Sequence, residues 1–348
     1  MTSRRGFLRG SLLLAGAWAS GTEPVRADVL PRRIRIGFLG LAYSHGEPKL
    51  RLAHASPDWE VVGVCDPSEA AARVARELGV ETCDERELLR RAEVVAVESE
   101  VADHYPMGRR VLEAGRHLHL EKPPALRVPD MRRLVSLARP RGLRLQCGYM
   151  WRHHPGFRAV RELVRAGGLG EVFQVHGFLH NRLDAERRRE WARLPGGSMF
   201  ELGSHLVDAT VRLLGRPSKV TPFLRHHGLA EDALADNNVA VLEYARATAV
   251  LTNTALPTGA GWPRSFEVLG TRGTARLSPL EPGELELDLL EASGPYRKGL
   301  QKVPLPTYRR YEGDLAELAA SVRDGVPLTA SLEEEFLVQE TLCRICGA

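Results

Sequence analysis

The chain has 348 residues, enough for two packed domains, and its apolar, charged and aromatic fractions exclude a disordered or collagen-like polymer. The formal charge of +4 at pH 7 sits mostly in residues 1–27, where Arg4, Arg5, Arg9 and Arg26 face only Glu23, so the rest is near neutral and no nucleic-acid partner is expected. Five cysteines, an odd number spread from Cys65 to Cys346, do not make a disulfide framework.

The first element is a leader. Ser3-Arg4-Arg5-Gly6-Phe7-Leu8-Arg9 fits a twin-arginine export pattern, followed by an apolar run from Leu12 to Ala19 that is too short to span a bilayer as a stable helix. Val25-Arg26-Ala27 supplies cleavage positions, with Asp28 as the mature start. An uncleaved anchor or a chance basic start is the alternative. Residues 1–27 are therefore read as a signal for export in the folded state, which places the mature protein in the periplasm or otherwise outside the cytoplasm, with no membrane span once the signal is removed.

From Arg33 short apolar runs alternate with helical patterns. Strands are predicted at Ile34 to Leu39, Glu60 to Cys65, Val94 to Val97, His117 to Leu120 and Leu143 to Gly148. Crossover helices are predicted at Ser68 to Leu78, Asp84 to Arg91, Tyr105 to Ala114 and Val128 to Ala138, with Asp84 as an N-cap and Gly115 as a C-terminal stop. This order implies a parallel sheet covered on both faces, a Rossmann-type dinucleotide-binding domain over residues 28–150. After residue 150 the pattern turns strand-rich, at Val239 to Tyr244, Thr248 to Thr254, Ser265 to Gly270 and Thr274 to Ser278, and closes with helices at Asp314 to Arg323 and Glu333 to Cys346. Residues 151–348 are thus expected to form an α+β substrate and oligomerisation domain with a largely antiparallel, open-faced sheet, its closing helices free to pack back on the first domain. Cys343-x-x-Cys346 ends a helix with no strand before it and no second pair, so buried thiols are favoured over a redox pair.

The first turn, Gly37-Phe38-Leu39-Gly40-Leu41-Ala42-Tyr43-Ser44-His45, departs from the Gly-x-Gly-x-x-Gly fingerprint. Gly40 supplies the first glycine, Ala42 stands at the second and His45 at the third. A methyl at 42 narrows the approach of a pyrophosphate without forbidding it. Asp66 ends the second strand, where a carboxylate accepts both ribose hydroxyls and repels a 2′-phosphate. No arginine follows it, so NAD is favoured and NADP is the alternative; Asp66 as a mere cap for the helix from Ser68 is the competing reading.

Later motifs carry a resemblance. Ala114-Gly115-Arg116-His117-Leu118-His119-Leu120-Glu121-Lys122-Pro123 resembles the AGKHV-x-x-EKP signature of the Gfo/Idh/MocA family. Tyr149-Met150-Trp151-Arg152-His153-His154-Pro155, Gly167-Gly168-Leu169-Gly170-Glu171-Val172 and Gly196-Gly197-Ser198-Met199-Phe200-Glu201-Leu202-Gly203-Ser204-His205-Leu206-Val207-Asp208 resemble three further family motifs, in the family's order. The resemblance covers residues 32 to 348.

It implies a nicotinamide-dependent oxidoreductase acting on a sugar or polyol hydroxyl. Lys122 would lie beside the nicotinamide, with burial lowering its pKa so that it helps move the alcohol proton. His205 would be the principal acid/base group, and Glu201, four residues earlier, would orient its imidazole, although the family usually has aspartate there. Cofactor contacts would come from Gly37, Gly40, Ala42, Tyr43, Ser44, His45, Asp66, His104, Glu121 and Lys122. Arg152, His153, Asn181, Arg182, Trp191 and His205 would contact substrate. A cis bond before Pro123, no metal, and a homo-oligomer formed through the open sheet face are also implied. Two other functions stay open: an NAD-dependent glycosidase using transient oxidation, and a sugar-binding protein without turnover.

Overall fold

The structure, a computed structural model, describes residues 32–41, 44–228, 230–256 and 264–348. The expected leader, residues 1–27, and Ala42 and Tyr43 of the glycine turn lie outside the described residues.

The first half runs β1 (Ile34–Leu39), α1 (Gly46–Ala55), β2 (Trp59–Cys65), α2 (Glu69–Leu78), α3 (Glu85–Arg91), β3 (Val94–Val97), α4 (Val101–Glu113), β4 (His117–Leu120), α5 (Val128–Ala138) and β5 (Leu145–Cys147). Its five strands form one parallel sheet in the order β2-β1-β3-β4-β5. All four residues of β3 are buried, as a strand covered on both faces requires. Local chemistry fixes the helix ends. The Ser68 hydroxyl accepts the Ala71 N–H at 3.2 Å to start α2, and the Asp84 carboxylate accepts the Glu87 N–H at 2.8 Å to start α3. Helix α4 begins four residues earlier than the sequence pattern suggests and carries Pro106 inside it. The ring lacks an N–H for the Ala102 carbonyl and crowds it, a local cost that packing of the helix outweighs.

The second half contains α6 (Pro155–Arg165), β6 (Val172–His180), α7 (Ala185–Trp191), α8 (Ser198–Glu201), α9 (Ser204–Leu214), β7 (Lys219–Arg225), β8 (Asn237–Glu243), β9 (Thr248–Thr254), β10 (Ser265–Gly270), β11 (Gly273–Leu277), β12 (Leu285–Leu289) and β13 (Gly299–Val303). These eight strands form a second sheet, ordered β13-β12-β11-β10-β6-β9-β8-β7 and antiparallel except where β6 meets β9. Along β8 and β9 burial alternates, so one face packs against helices and the other is open. On the open face Phe223, Val239, Thr252 and Phe178 lie in one cross-strand row. A second row, Glu267, Arg276, Glu286 and Lys302, is charged.

Two helices close the chain, α10 (Glu312–Asp324) and α11 (Leu332–Cys346). Leu315, Leu318 and Ala319 of α10 join the apolar cluster of Ile34, Ile36 and Phe38, so the end of the chain completes the core beside β1. Cys343 and Cys346 of α11 are buried free thiols, and burial pushes Cys343 up to about 11, which leaves it protonated and unreactive. Among the described residues no helix is long and apolar enough to cross a membrane.

Candidate active site

Because the five strands of the first sheet are parallel, their carboxyl ends share one edge, and the strand order reverses beside β1. Such a switch point opens a crevice for a dinucleotide. Gly40 leaves β1 with φ +82°, and a Cβ there would stand 3.1 Å from the backbone of Ser99. Only glycine lets the turn pass this loop. Asp66 Oδ2 accepts the Leu41 N–H at 2.7 Å and Oδ1 accepts the Ser68 N–H at 2.8 Å. The carboxylate therefore ties the turns after β1 and β2 together, while each oxygen keeps lone-pair capacity for a ribose hydroxyl. Ser68 itself, not Asp66, caps α2 through its side chain. The glycine turn, the carboxylate and the start of α1 fit a dinucleotide. Gly37 does not belong to this set: it lies within β1, where a Cβ would come 2.7 Å from Leu88 Cδ1, so it serves helix packing.

Lys122 follows β4 and is joined to Pro123 by a cis peptide bond. Its side chain is 2% exposed. Its ammonium is ion-paired with Glu201 Oε1 and donates to the Glu201 carbonyl at 3.2 Å. The expected orientation of His205 by Glu201 is thereby corrected. The helix is interrupted between α8 and α9, and Glu201 turns to Lys122. The His205 imidazole is buried, its ring 4.7 Å from the Trp151 ring and 6.0 Å from that of Tyr149, and its Nδ1 has no hydrogen-bond partner among the described residues. Burial first, then the positive charges of Lys122, His45 and Arg264, hold its pKa well below the ordinary histidine value. His205 is a neutral imidazole.

Behind this pair lies a buried polar network that the motifs do not disclose. Lys49 of α1 donates to Glu98 at 2.9 Å, to His119 Nε2 at 2.9 Å and to Glu121 Oε2. All three ammonium protons are thus used. His119 Nδ1 faces Gln146 Oε1 at 2.8 Å, which assigns its proton to Nδ1 and leaves Nε2 to accept from Lys49. Burial, reinforced by Lys49, lowers His119 to about 3. Although burial opposes it, Lys49 with His45 holds Glu121 well below the usual carboxylate range; Glu98 is pushed up to about 8 by burial, against the pull of Lys49. Ligand-type atoms of Glu98, His119 and Glu121 lie within 4.8 Å of one another, but the Lys49 ammonium already bonds all three. Glu121 is fully buried and is linked to the cleft through His45, whose Nδ1 lies 3.1 Å from its Oε1.

A cleft of about 410 Å³ opens over these groups, and Ser44, His45, Lys122, Glu201 and His205 are among the residues that line it. Asn181, Arg182 and Trp191 line it as the sequence leads one to expect, joined by Trp151, Arg264 and Arg310. Three expected contacts are corrected. Arg152 is buried and pairs with Asp208 at 2.7 Å and Glu335 at 2.8 Å, so it stitches the halves of the chain together and is spent before any substrate arrives. His153 faces Glu317 of α10 at 3.4 Å, away from the cleft. His104 is fully buried, with its ring nitrogens against the Pro123 carbonyl at 2.7 Å and the Ser99 carbonyl at 2.9 Å. It braces the loop that carries Lys122 and has no surface left for cofactor.

The fold and site together define a protein with a dinucleotide-binding Rossmann half and a second half built on a largely antiparallel sheet. The comparisons agree. Residues 34–149 match the model described as an oxidoreductase family, NAD-binding Rossmann fold, and residues 157–276 match the GFO/IDH/MocA C-terminal domain. The chain belongs to the GFO/IDH/MocA family of oxidoreductases, and its cofactor is NAD(P). A dTDP-3,4-didehydro-2,6-dideoxy-alpha-D-glucose 3-reductase of Streptomyces violaceoruber is 35% identical over 60% of this chain; the match spans 61% of that protein, under two thirds of its length. Inositol 2-dehydrogenase 3 of Saccharopolyspora erythraea is 28% identical over 70% of this chain and 73% of its own. The crystal structure of GenD2 from gentamicin A biosynthesis, in complex with NAD, superposes with a TM-score of 0.75 at 25% identity, covering 90% of this chain and 93% of that one.

Proposed function

We propose that this protein oxidises a hydroxyl group of a sugar or polyol, outside the cytoplasm, with NAD held tightly enough to survive export. The observation that carries the reading is a neutral, buried His205 beside the Lys122–Glu201 ion pair in a cleft next to the dinucleotide crevice. Bound NAD supplies the hydride acceptor. Lys122, fixed by the Glu201 carboxylate and carbonyl, donates a hydrogen bond to the substrate oxygen and stabilises negative charge developing there. His205, unprotonated in the resting site, accepts the hydroxyl proton as the carbon–hydrogen bond breaks. The Trp151 ring beside it helps keep water from the imidazole. The named activities of the reductase and dehydrogenase relatives, both on sugar or polyol carbons, support this choice of substrate.

The export reading rests on Ser3 to Arg9 and the apolar run after it. A compartment poor in free NAD favours a cofactor loaded before export and regenerated by a second substrate. The open sheet face, with Phe223 and Phe178 in one row, is proposed as the contact between copies of the chain. The test is to purify the exported protein, identify any retained nicotinamide by mass spectrometry, and follow its reduction on adding sugars and polyols. Retained NAD that becomes reduced supports the reading. A mature protein that neither retains nor binds NAD(P) overturns it.

A further inference from the structure

The cleft carries more guanidinium than a neutral sugar needs. Arg182, Arg187, Arg264 and Arg310 all line it. Two are already matched: Arg187 by Glu190 at 2.8 Å, and Arg310 by Glu281 at 2.6 Å. The acids of the wall are committed too. Glu201 holds Lys122, and exposed Asp184 accepts the Arg187 N–H at 2.8 Å as the cap of α7. Arg264 is different. It donates its Nε–H to the His180 carbonyl at 2.9 Å, and among the described residues no carboxylate lies within ion-pairing distance of it. Residues 257–263, immediately before it, read Pro-Thr-Gly-Ala-Gly-Trp-Pro and contain no acid. Arg182, on the rim, likewise has no ion pair among the described residues.

Glu281 attracts Arg264 only through space while it is bonded to Arg310 and Trp151, and burial lowers the pKa of Arg264 despite that attraction. A half-buried guanidinium with no carboxylate in contact forfeits hydration and gains little in return. A hydroxyl satisfies one N–H and none of the charge, whereas a carboxylate or phosphoryl group meets the planar fork with two oxygens. We propose that the sugar bound in this cleft is anionic, and that its carboxylate or phosphoryl oxygens are held by Arg264 with Arg182 at the rim. The inference rests on the oxidoreductase reading for the fate of the sugar, but its binding step stands apart from turnover. It also links recognition to chemistry. The charge of Arg264 is one of those that lower the proton affinity of His205. An anion docked on Arg264 offsets that charge, so the base strengthens when the correct substrate is in place.

The test measures binding by calorimetry on the NAD-loaded protein with glucose, glucuronate, glucose phosphate and UDP-glucose. At least one anionic member is expected to bind about tenfold more tightly than glucose, a preference that falls with added salt. In Arg264→Gln the ratio of anion affinity to glucose affinity should shrink to about threefold or less, with NAD affinity retained as the check that the fold is kept. The best-bound anion tells a carboxylate from a phosphate monoester or a diphosphate. Anions that bind no better than glucose, or a preference intact in the Arg264→Gln/Arg182→Gln double variant, overturn the proposal. Tight anion binding without nicotinamide reduction would instead overturn the oxidoreductase reading and leave this one standing.

Discussion

Lys122 and Glu201, 79 residues apart in the chain, form a buried ion pair that joins the end of β4 to the short helix before His205. The pair brings the Rossmann half and the substrate half to one point. It also takes Glu201 away from His205, so that the imidazole is tuned chiefly by burial and by positive neighbours, with the Glu121 carboxylate opposing them.

Lys122→Met is expected to lower kcat for sugar oxidation by about 100- to 10,000-fold, the usual worth of a positioned proton-handling group. It also strands a buried carboxylate, at a cost of about 3–5 kcal/mol. Adding Glu201→Gln should recover much of the stability and none of the rate. Urea unfolding and steady-state kinetics on both single variants and the double separate the two roles. A double variant as active as the parent would refute the assignment.

The pH dependence follows from the direction in which His205 is shifted. Its pKa in the folded protein lies below the ordinary value of about 6.5, so the base stays unprotonated in mildly acidic solution and the acid limb of kcat/KM should fall below about pH 6.5. Stability carries the same sign. His205 and His119 resist protonation when folded, and the unfolded chain does not. Their contribution is complete above about pH 6.5 and is lost as pH falls toward the folded value, about 3 for His119. Thermal unfolding should show a midpoint that declines from pH 7 to pH 5, less steeply in His205→Asn.

Lys49→Met removes the one cation shared by Glu98, His119 and Glu121. Leaving two buried carboxyl groups without it is expected to cost about 3–5 kcal/mol. Because Glu121 also holds His45 at the cleft, NAD affinity or KM should worsen as well. An unchanged denaturation midpoint would show that the network contributes nothing.

Arg152→Leu distinguishes a structural arginine from a substrate contact. Asp208 and Glu335 would lose their buried counter-charge, and stability should fall by about 3–5 kcal/mol. At a temperature where the variant is folded, KM for the sugar should stay within about threefold of the parent, whereas loss of a charged substrate contact would raise it about tenfold or more.

The amino-acid order by itself determined the alternation of short apolar strands with capped helices. β1, β3, β4 and α5 fall at their predicted residues because burial on both faces leaves continuous apolar runs, and Ser68 and Asp84 mark helix starts by chemistry local to the backbone. It also singled out Lys122 and His205, but not Lys49, which stands in no motif. Strands β7 and β13 escaped notice because they have no buried residue and so carry no apolar pattern, whereas β6 and β12 do alternate and were legible but not picked out. Tertiary structure alone decided who pairs with whom. Glu201 at helical spacing from His205 turns to Lys122 instead, since the helix breaks between them, and Arg152 beside a substrate-domain motif is taken by Asp208 and Glu335. Sequence spacing governs neighbours along one element. The partner of a buried charge is set by which elements fold against it, because an unmatched charge there costs more than any local preference can return.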